Sequence, residues 1–254
     1  MKKLVTSLLI LCTVLLSGCS SWSNKEVDVN AEYRGLTAKQ LYDQANQSVN
    51  KGNYKTAIRE FEAMETLYPF STYAQTAQTK LMDAYYKNEE YASAAASAQR
   101  YIHLYPRAEN VDYAYYLKGL ANFQQYRGAF AKFLPMDESW RDPGTEAQAY
   151  ADFGIFIQRF PNSKYKADAL QRMIYLRNMF AQRELNNANY YFERQLYVAA
   201  VERANYLIEN YPQAPSAEQA LTIAYRANIK LGLQAAAADV AKVYEATYHK
   251  SMKV

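Results

Sequence analysis

The chain of 254 residues has few of the side chains that carry out enzymatic chemistry or bind metal ions. It contains two histidines and two cysteines. Neither His103 nor His249 belongs to a group of His, Asp and Glu at metal-binding spacing, and the sequence has neither a Gly-rich phosphate loop nor a Gly-x-Ser-x-Gly motif. The sequence therefore predicts no catalytic site, no metal and no cofactor, and it favours a binding protein over an enzyme.

The chain also lacks an excess of charge of either sign. Lys and Arg number 29 against 25 Asp and Glu. Lys2 and Lys3 lie in a segment that we predict is removed, which leaves 27 basic side chains against the 25 acidic ones. A nucleic-acid-binding surface needs a marked positive excess. We therefore exclude nucleic acid as a natural partner.

The N-terminal apolar run is too short to cross a membrane. It extends from Leu4 to Leu16, two lysines precede it, and the small residues of Leu16-Ser17-Gly18-Cys19 follow. This pattern predicts a signal peptide over residues 1–18. The ending resembles the bacterial lipobox, which implies that Cys19 becomes the acylated N-terminus of the mature protein. The alternative is an ordinary signal peptide that a cysteine follows by coincidence.

Lipidation at Cys19 implies a permanent tether to a membrane. Cys12 leaves with the signal peptide, so the mature chain has one cysteine and forms no disulfide. Two or three acyl chains hold a protein firmly, whereas one holds it marginally. Ser20 stands where an aspartate would resemble an inner-membrane retention signal, which favours the outer membrane. Residues 19–36 have no apolar periodicity and predict a lipidated flexible tether.

Four repeats organise the rest of the chain. In each repeat an alanine stands twelve residues before a proline, an aromatic residue precedes that proline, and apolar or small residues stand at offsets 4 and 7. Offsets 0, 4, 7 and 11 share one face of an α-helix, and the proline ends that helix. The four sets are Ala57, Phe61, Met64 and Tyr68; Ala94, Ala98, Tyr101 and Tyr105; Ala149, Phe153, Phe156 and Phe160; and Ala200, Ala204, Leu207 and Tyr211.

A second apolar helix precedes each of these helices, and the pairs resemble the tetratricopeptide repeat (TPR). The predicted fold class is therefore all-α, a superhelical solenoid of about five TPR-like helix pairs. Successive prolines are 37, 55 and 51 residues apart, so the third and fourth units must contain insertions or longer helices. The predicted helices are 37–50, 53–68, 71–87, 90–105, 110–126, 144–160, 163–192, 196–211, 216–231 and 234–248. An insertion over 127–143 separates an N-terminal half, 37–126, from a C-terminal half, 144–254.

Capping residues predict where several helices begin. The candidate starts are Thr37, Ser71, Asn110, Ser163 and Ser216, together with Asp142-Pro143. The helix over 163–192 is either unusually long or broken near Asn186-Asn187. Two interpretations of the insertion remain open. It presents a functional face, or its three aromatic residues only pin the loop onto the solenoid; these residues are Phe130, Phe133 and Trp140.

Several strings, together with the lipobox and the irregular repeats, resemble the BamD family. Its members are TPR lipoproteins of the β-barrel assembly machinery of Gram-negative outer membranes. The resemblance extends from Cys19 through the fifth unit and is weakest in the tether and after Tyr248. The strings are Tyr68-Pro-Phe-Ser-Thr-Tyr-Ala-Gln75, Ala84-Tyr-Tyr-Lys-Asn88, Asp112-Tyr113, Gly119-Leu120, Arg141-Asp-Pro143 and Tyr190-Tyr-Phe-Glu-Arg194.

The resemblance implies a non-enzymatic scaffold on the periplasmic face of the outer membrane. Its N-terminal units would receive the C-terminal β-signal of unfolded outer-membrane β-barrel proteins. Its C-terminal units would hold the last POTRA domain of BamA and the lipoproteins BamC and BamE. Two rival functions remain open at this point. One is a TPR lipoprotein adaptor for cell-wall synthesis or division, and the other is a helical lytic enzyme with a carboxylate in a deep cleft.

Two sets of residues are candidate binding sites. An aromatic platform beside a cation suits a peptide that ends in an aromatic residue and a carboxylate. The first inter-repeat turn predicts such a β-signal site at Lys55, Tyr68, Phe70 and Tyr73. The family's BamA-facing arginine matches Arg203, which has no carboxylate within reach on its own helix, and Arg194 closes the preceding family string. We therefore predict that Arg203 and Arg194 bind BamA.

Overall fold

The computed structural model describes residues 30–126 and 144–252. The predictions for the signal peptide, the lipidation of Cys19, the insertion over 127–143 and the helix start at Asp142-Pro143 lie outside the described residues. Contacts divide the chain into two units, Met1–Thr37 and Ala38–Val254. The division of the solenoid into two halves around the insertion stays a prediction.

The described part of the first unit corrects the C-terminal end of the predicted tether. Ala31–Tyr33 form a single 3-10 turn, and the side chain of Tyr33 is buried. Backbone hydrogen bonds from Tyr33 to Asn30 and from Leu36 to Tyr33, both 3.0 Å, hold the turn. Charged and small residues around one aromatic side chain gave no periodicity, so the sequence pattern did not show this structure.

The second unit is helical throughout the residues that the structure describes, where no strand occurs, and this confirms the all-α, TPR-like solenoid. Each helix packs against the next one along the chain, and α7 also contacts α9. All ten predicted helices are present, with ends within three residues of the prediction. They are α1 (Ala38–Asn50), α2 (Tyr54–Leu67), α3 (Ala74–Lys87), α4 (Tyr91–Leu104), α5 (Val111–Tyr126), α6 (Gly144–Arg159), α7 (Lys166–Glu193), α8 (Tyr197–Asn210), α9 (Ala217–Lys230) and α10 (Gln234–Tyr248).

The predicted apolar stripe forms the core of the solenoid. In all four repeats the residues at offsets 0, 4 and 7 are almost completely buried. The aromatic residue at offset 11 is half-buried, because it lies where the helix ends. At about 25 cal/mol per Å² of apolar surface removed from water, this stripe is the main source of stability for helices of only 14 to 16 residues.

The prolines end the helices as predicted. The residue before a proline is sterically driven out of the α-helical region, and Tyr68, Tyr105 and Tyr211 have φ between −128° and −134°. Each still donates its backbone N–H to the residue at offset 7, which closes the last helical turn. The aromatic residue is therefore the C-cap of its helix.

Three of the predicted capping residues do not cap helices. Helices α3 and α7 begin three residues after Ser71 and Ser163, and Ser216 precedes α9 without a side-chain capping bond. The Ser163 hydroxyl instead donates to Asp112 on α5 at 2.6 Å, and the Ser216 hydroxyl donates to Gln182 on α7 at 2.9 Å. These serines connect neighbouring units, so their local sequence pattern was misleading.

The uneven spacing of the fourth unit comes from one long helix. Helix α7 continues without a break through Asn186 and Asn187 for 28 residues. Of the two predicted alternatives, the unusually long helix is therefore correct, and the break near Asn186-Asn187 is not present. The extra length lets α7 pack against both α8 and α9.

The turn within a helix pair requires a left-handed residue at one fixed position. Gly52 and Gly232 each have φ of 75° there, and Glu89 and Gln195 have φ of 62° and 61°. Glycine adopts this region without a steric penalty, whereas a residue with a Cβ does not. In the first helix pair this turn is Lys51-Gly52-Asn53.

Gly119 on α5 permits a close approach of α6. A Cβ at this position would lie 2.8 Å from Cδ1 and 2.9 Å from Cε1 of the fully buried Phe153 ring on α6. A rigid ring in a packed core has no room to move aside, and overpacking costs about 1 to 3 kcal/mol. We expect Gly119→Ala to lower the free energy of unfolding in urea by that amount. Gly35→Ala, which adds a Cβ with no atom within 4 Å, is the control, and equal effects of the two substitutions would contradict the explanation.

Candidate protein-binding surfaces

The turn between α2 and α3 exposes an aromatic group that the solenoid does not use for packing. Tyr68 caps α2 and is half-buried, Pro69 follows, and the side chain of Phe70 is 99% exposed. Hydrogen bonds from Ser71 to Tyr68 and from Ala74 to Ser71, 3.1 and 3.0 Å long, fix the backbone of the turn. A large aromatic side chain with almost no contacts is therefore held on an ordered backbone.

Tyr73 lies in the same turn and stacks on Tyr42 of α1. Their ring centroids are 5.0 Å apart with an interplanar angle of 28°, and the Tyr42 ring meets Phe61 edge-on at 6.4 Å. Stacked aromatic pairs contribute about 0.5 to 1.5 kcal/mol beyond the burial of their area. We call Tyr42, Tyr68, Phe70 and Tyr73 the first-turn aromatic surface. Tyr42 belongs to it although the sequence pattern did not single it out.

Lys55 does not lie beside this surface, which corrects the predicted site. It is the second residue of α2, whereas Tyr68 follows the last residue of that helix. Thirteen residues at 1.5 Å each place the two about 20 Å apart along the helix. The predicted helix 53–68 contained both residues, but the prediction did not convert its length into a distance. Lys55 is exposed at the opposite end.

The cation beside the first-turn aromatic surface is Lys39 in the first turn of α1. Its ammonium group hydrogen-bonds to Asp43 at 2.6 Å. The pKa of Lys39 is raised by this hydrogen bond and by the charge of Asp43, with a smaller contribution from Tyr73. Such an exposed i, i+4 pair opens at little cost, so Lys39 is available to an anionic group near Tyr73.

Arg203 on α8 has a carboxylate partner that the sequence reasoning missed. Its Nη1 lies 3.4 Å from Oε2 of Glu184 on α7, and the two side chains are 47% and 14% exposed. The prediction considered only neighbours on α8, where no carboxylate is within reach. Because α8 packs against α7, the partner comes from the other helix of the same pair. The absence of a carboxylate partner on α8 therefore does not leave Arg203 unpaired, because Glu184 reaches it from α7.

Arg194 lies at the end of α7 and stacks on an exposed tyrosine. Its guanidinium carbon is 4.4 Å from the ring centroid of Tyr190, which is itself largely exposed. Glu184, the partner of Arg203, lies ten residues earlier on α7, which is about 15 Å along the helix axis. Both predicted arginines are thus accessible on the α7–α8 pair, and each is held by one side chain.

Arg203 lies three residues after Ala200, and the residue at the same place in each of the other three repeats is buried. Glu60, Ser97 and Asp152 are each at most 5% exposed. Glu60 accepts a hydrogen bond from Gln44 of α1 at 2.8 Å, so this carboxylate connects the two helices of its pair. All four residues at this position are polar, and three of them lie inside the solenoid.

A network of tyrosines and carboxylates links α3, α5 and α7. Tyr113 donates its hydroxyl to Asp83, and Tyr116 donates to Asp168 at 2.7 Å. Arg172 binds the Asp168 carboxylate with Nε at 2.6 Å and Nη2 at 3.1 Å. Burial raises the pKa of Asp83 above its usual value, although the hydrogen bond from Tyr113 opposes the shift. Burial also favours a higher pKa for Asp168, but the hydrogen bonds from Arg172 and Tyr116 and the charge of Arg172 outweigh it and lower the pKa.

The raised pKa of Asp83 predicts that the contribution of this residue to stability depends on pH. Folded Asp83 keeps its proton to higher pH than unfolded Asp83, so its contribution to stability is lost as pH rises through the folded pKa. Tyr113→Phe removes a hydrogen bond to the charged form, worth about 1.5 to 3 kcal/mol. We expect the variant to lose more stability at pH 7 than at pH 4 in urea unfolding. Tyr105→Phe is the control, and equal losses for Tyr113→Phe at both pH values would contradict the role of Asp83.

The described part of the chain shows neither a metal site nor a membrane span. No group of three or more His, Cys, Asp and Glu side chains among residues 30–126 and 144–252 is placed to hold a metal ion. Within these same ranges no helix combines the length and the apolar character needed to cross a bilayer.

Comparison with known proteins gives consistent matches over most of the chain. Residues 34–243 match the family model YfiO, described as outer membrane lipoprotein. Three relatives carry the name outer membrane protein assembly factor BamD. The protein of Neisseria meningitidis serogroup A is 36% identical over 99% of this chain and 93% of its own length. Those of Xylella fastidiosa strain Temecula1 and Vibrio cholerae serotype O1 are each 36% identical, over 94% and 88% of this chain and 80% and 90% of their own lengths.

Proposed function

The chain belongs to the YfiO family of outer membrane lipoproteins, and from this premise we propose that it is a non-enzymatic scaffold for the assembly of outer-membrane β-barrel proteins. The names of its BamD relatives support this role. So does the architecture, because a solenoid of helix pairs offers separate binding surfaces along its length without a change of fold. The sequence of the N-terminus supports a lipid anchor at Cys19 on the periplasmic face of the outer membrane.

In this proposal the first-turn aromatic surface receives the C-terminal β-signal of an unfolded barrel protein. The observation that carries it is Phe70, whose ring is 99% exposed on an ordered turn. Exposing such a ring to water is unfavourable, and a partner's aromatic side chain placed against it would gain both burial and stacking. Lys39, close to Tyr73, supplies the positive charge that a C-terminal carboxylate needs.

The distance to Lys55 defines how far a bound peptide would extend. An extended peptide rises about 3.3 Å per residue, so about six residues span the roughly 20 Å from the first-turn aromatic surface to Lys55. In the proposal Lys55 contacts a more N-terminal part of the same peptide, and Lys39 contacts its C-terminal carboxylate. This assigns the two lysines to different parts of one ligand.

Substitution of Phe70 tests the site directly. We expect Phe70→Ala to weaken binding of a synthetic β-signal peptide by about 1 to 3 kcal/mol, because the ring has no other function in the chain. The free energy of unfolding is expected to stay within about 0.5 kcal/mol of the wild type, as for other exposed positions. Ile155→Ala, at another exposed apolar residue on α6, is the matched control. Wild-type peptide affinity in a folded Phe70→Ala variant would place the β-signal site elsewhere.

The C-terminal units would bind the rest of the assembly machinery. We propose that Arg203 and Arg194 contact the last POTRA domain of BamA and that BamC and BamE bind the same half of the solenoid. The two arginines lie on one helix pair, where Arg203 contacts Glu184 and Arg194 contacts Tyr190. Partners that break such surface contacts and supply desolvated carboxylates gain both affinity and specificity.

Depletion of the protein from cells distinguishes this function from an adaptor for cell-wall synthesis or division. We expect the amount of folded, heat-modifiable barrel protein in the outer membrane to fall before growth stops, because barrel assembly depends directly on the scaffold. Cell-wall cross-linking is expected to change only afterwards. Normal levels of folded barrels in depleted cells, together with early loss of cross-linking, would support the adaptor and refute the proposal.

A further inference from the structure

The turns that connect one helix pair to the next lie on one edge of the solenoid, because successive helices run in opposite directions. We call it the inter-pair edge, and its turns are 68–73, 105–110, 160–165 and 211–216. Four cations lie in or directly beside the second and third of these turns, and we call them the basic turn cluster. They are Arg107, Arg159, Lys164 and Lys166. The first and fourth turns contain no Lys, Arg, Asp or Glu.

The two turns that carry the basic turn cluster are held side by side at the start of α5. The Ser163 hydroxyl in the third turn donates to Asp112 at 2.6 Å, and the ring centroids of Tyr165 and Tyr113 are 5.2 Å apart. Asp112 and Tyr113 directly follow the second turn, in the first turn of α5. The cations therefore belong to one surface and not to two separate loops.

The basic turn cluster is not neutralised within the part of the chain that the structure describes. None of its four cations forms an ion pair with a side chain among residues 30–126 and 144–252. The carboxylates of this region are Glu109, Asp112 and Asp168. Asp168 is already paired with Arg172, which leaves four positive charges against the other two carboxylates.

The position of the lysines does not come from the stability of α7. Lys164 and Lys166 stand at the N-terminal end of this helix, where the helix dipole disfavours a positive charge. Both side chains reach solvent, and Arg159 and Arg107 are exposed. A concentration of accessible cations that does not stabilise its own helix indicates an anionic partner.

Aromatic rings lie directly beneath two of the cations. The guanidinium carbon of Arg159 is 5.4 Å from the ring centroid of Tyr115, and the ammonium nitrogen of Lys164 is 5.0 Å from that of Tyr165. Both tyrosines are partly exposed. Tyrosine combines an apolar ring with a polar hydroxyl, and such rings beside lysine and arginine are typical of surfaces that lie at a membrane–water interface.

We infer that the basic turn cluster binds the anionic headgroups of the phospholipid bilayer. A bilayer with anionic lipid has a negative surface potential, and each lysine or arginine close to it adds to the attraction. Four cations on one edge can meet several headgroups at once. The inference uses the membership of the chain in a family of outer membrane lipoproteins, and it does not depend on the proposed binding of a β-signal or of BamA.

The chain also enters the solenoid on this edge. Helix α1 begins at Ala38, and Tyr42, one helical turn later, stacks on Tyr73 of the first inter-pair turn. The predicted anchor Cys19 lies 19 residues before Ala38, a length that reaches about 60 Å when fully extended. Five steps of about 10 Å between neighbouring helices, from α1 to α6, cover about 50 Å. The tether is therefore long enough for the basic turn cluster to reach the same bilayer.

The test uses the chain from residue 19 to residue 254 with Cys19→Ser, so that acyl chains do not contribute to binding. Its partition onto vesicles of phosphatidylethanolamine with about one quarter phosphatidylglycerol is compared with vesicles that contain phosphatidylcholine instead. We expect at least about tenfold stronger partition onto the anionic vesicles. Raising the salt concentration from about 0.1 M to about 1 M shortens the Debye length from about 10 Å to about 3 Å and is expected to abolish the difference.

Two triple variants with the same net charge separate the cluster from the charge of the whole chain. We expect the first to lower partition onto anionic vesicles at least about tenfold and the second to leave it within about twofold. Circular dichroism checks that both are folded. The double variant Lys164→Gln, Lys166→Gln, which keeps the contact of Arg159 with Tyr115, is expected to lower partition at least about fivefold. The triple variants are Arg159→Gln, Lys164→Gln, Lys166→Gln and, at the opposite edge, Lys51→Gln, Lys55→Gln, Arg59→Gln.

A fluorescent label shows which edge meets the bilayer. With Cys19 replaced, a cysteine introduced at Asn162 in the third inter-pair turn or at Asn53 on the opposite edge is the single cysteine of this chain. We expect an environment-sensitive dye at position 162 to shift to shorter wavelength on anionic vesicles and a dye at position 53 to stay unchanged. Equal shifts at both positions, equal partition onto both kinds of vesicle, or equal losses in the two triple variants would each overturn the inference. Binding of polyglutamate without binding of the vesicles would also overturn it, in favour of an acidic polypeptide partner.

Discussion

Arg203→Glu is expected to weaken association with the periplasmic part of BamA by about 2 to 5 kcal/mol, mainly through faster dissociation. In the free protein Arg203 pairs with Glu184 at 3.4 Å, and nearly half of the arginine side chain is exposed. Such a surface pair contributes about 0 to 1 kcal/mol to folding. The fold therefore tolerates the loss of Arg203, and a larger effect on association would come from a desolvated contact with the partner. Titration calorimetry with circular dichroism on the same samples measures both effects.

Glu184 provides the controls that separate binding from folding. Glu184→Gln leaves Arg203 without its partner in the chain, and we expect it to retain or increase affinity for BamA. The double variant Arg203→Glu, Glu184→Arg keeps an ion pair within the chain, but the carboxylate is then on α8 and the guanidinium on α7. We expect this variant to fold normally and still fail to bind BamA. Recovery of binding in this double variant would show that Arg203 acts through its pair with Glu184. Arg203→Lys is expected to be intermediate, because lysine cannot form the forked hydrogen bonds of a guanidinium group.

The sequence predicted well what depends on residues close together in the chain. The stripe at Ala57, Phe61 and Met64 and its three counterparts is buried as expected, because side-chain period and burial are both properties of a single helix. The positions of the helix ends also depend on residues that are neighbours in the chain. Proline excludes the helical conformation of the residue before it, so Tyr68, Tyr105 and Tyr211 end their helices wherever the rest of the chain lies.

What the sequence could not predict are contacts between residues on different helices. Glu184 lies 19 positions from Arg203, and Ser163 bonds to Asp112, 51 positions away. The residues of a single helix indicate neither the Glu184 partner of Arg203 nor the Asp112 partner of Ser163. The error over Lys55 has another cause. The predicted helix 53–68 contained both Lys55 and Tyr68, but the distance between them that follows from its length was not considered. Tyr42 joined the candidate site for the same tertiary reason, since its stacking with Tyr73 depends on how α1 packs beside the turn.

Asp152→Ala is expected to have the largest effect on stability, a loss of about 3 to 5 kcal/mol. The carboxylate is 3% exposed and connects α6 to α5. Its Oδ1 lies 3.0 Å from the ammonium of Lys118, and its Oδ2 accepts a hydrogen bond from Asn122 at 2.7 Å. The substitution leaves the ammonium of Lys118, whose side chain is 23% exposed, without its counter-charge. Urea unfolding followed by circular dichroism measures the loss.

The effect of Asp152→Ala should come from breaking the pair and not from the absence of charge. A buried ion pair owes much of its apparent value to the cost of leaving one member unpaired, and replacing both members by apolar groups is often neutral. We therefore expect Asp152→Leu combined with Lys118→Met to recover most of the stability that Asp152→Ala loses. Lys118→Met alone should be destabilising, because it leaves the carboxylate buried without a counter-charge, with Asn122 and Gln148 as its donors among residues 30–126 and 144–252. If Asp152→Ala costs less than about 1 kcal/mol, the pair behaves as a solvated surface bridge, and the junction between α5 and α6 then depends on the packing of Gly119 against Phe153 instead.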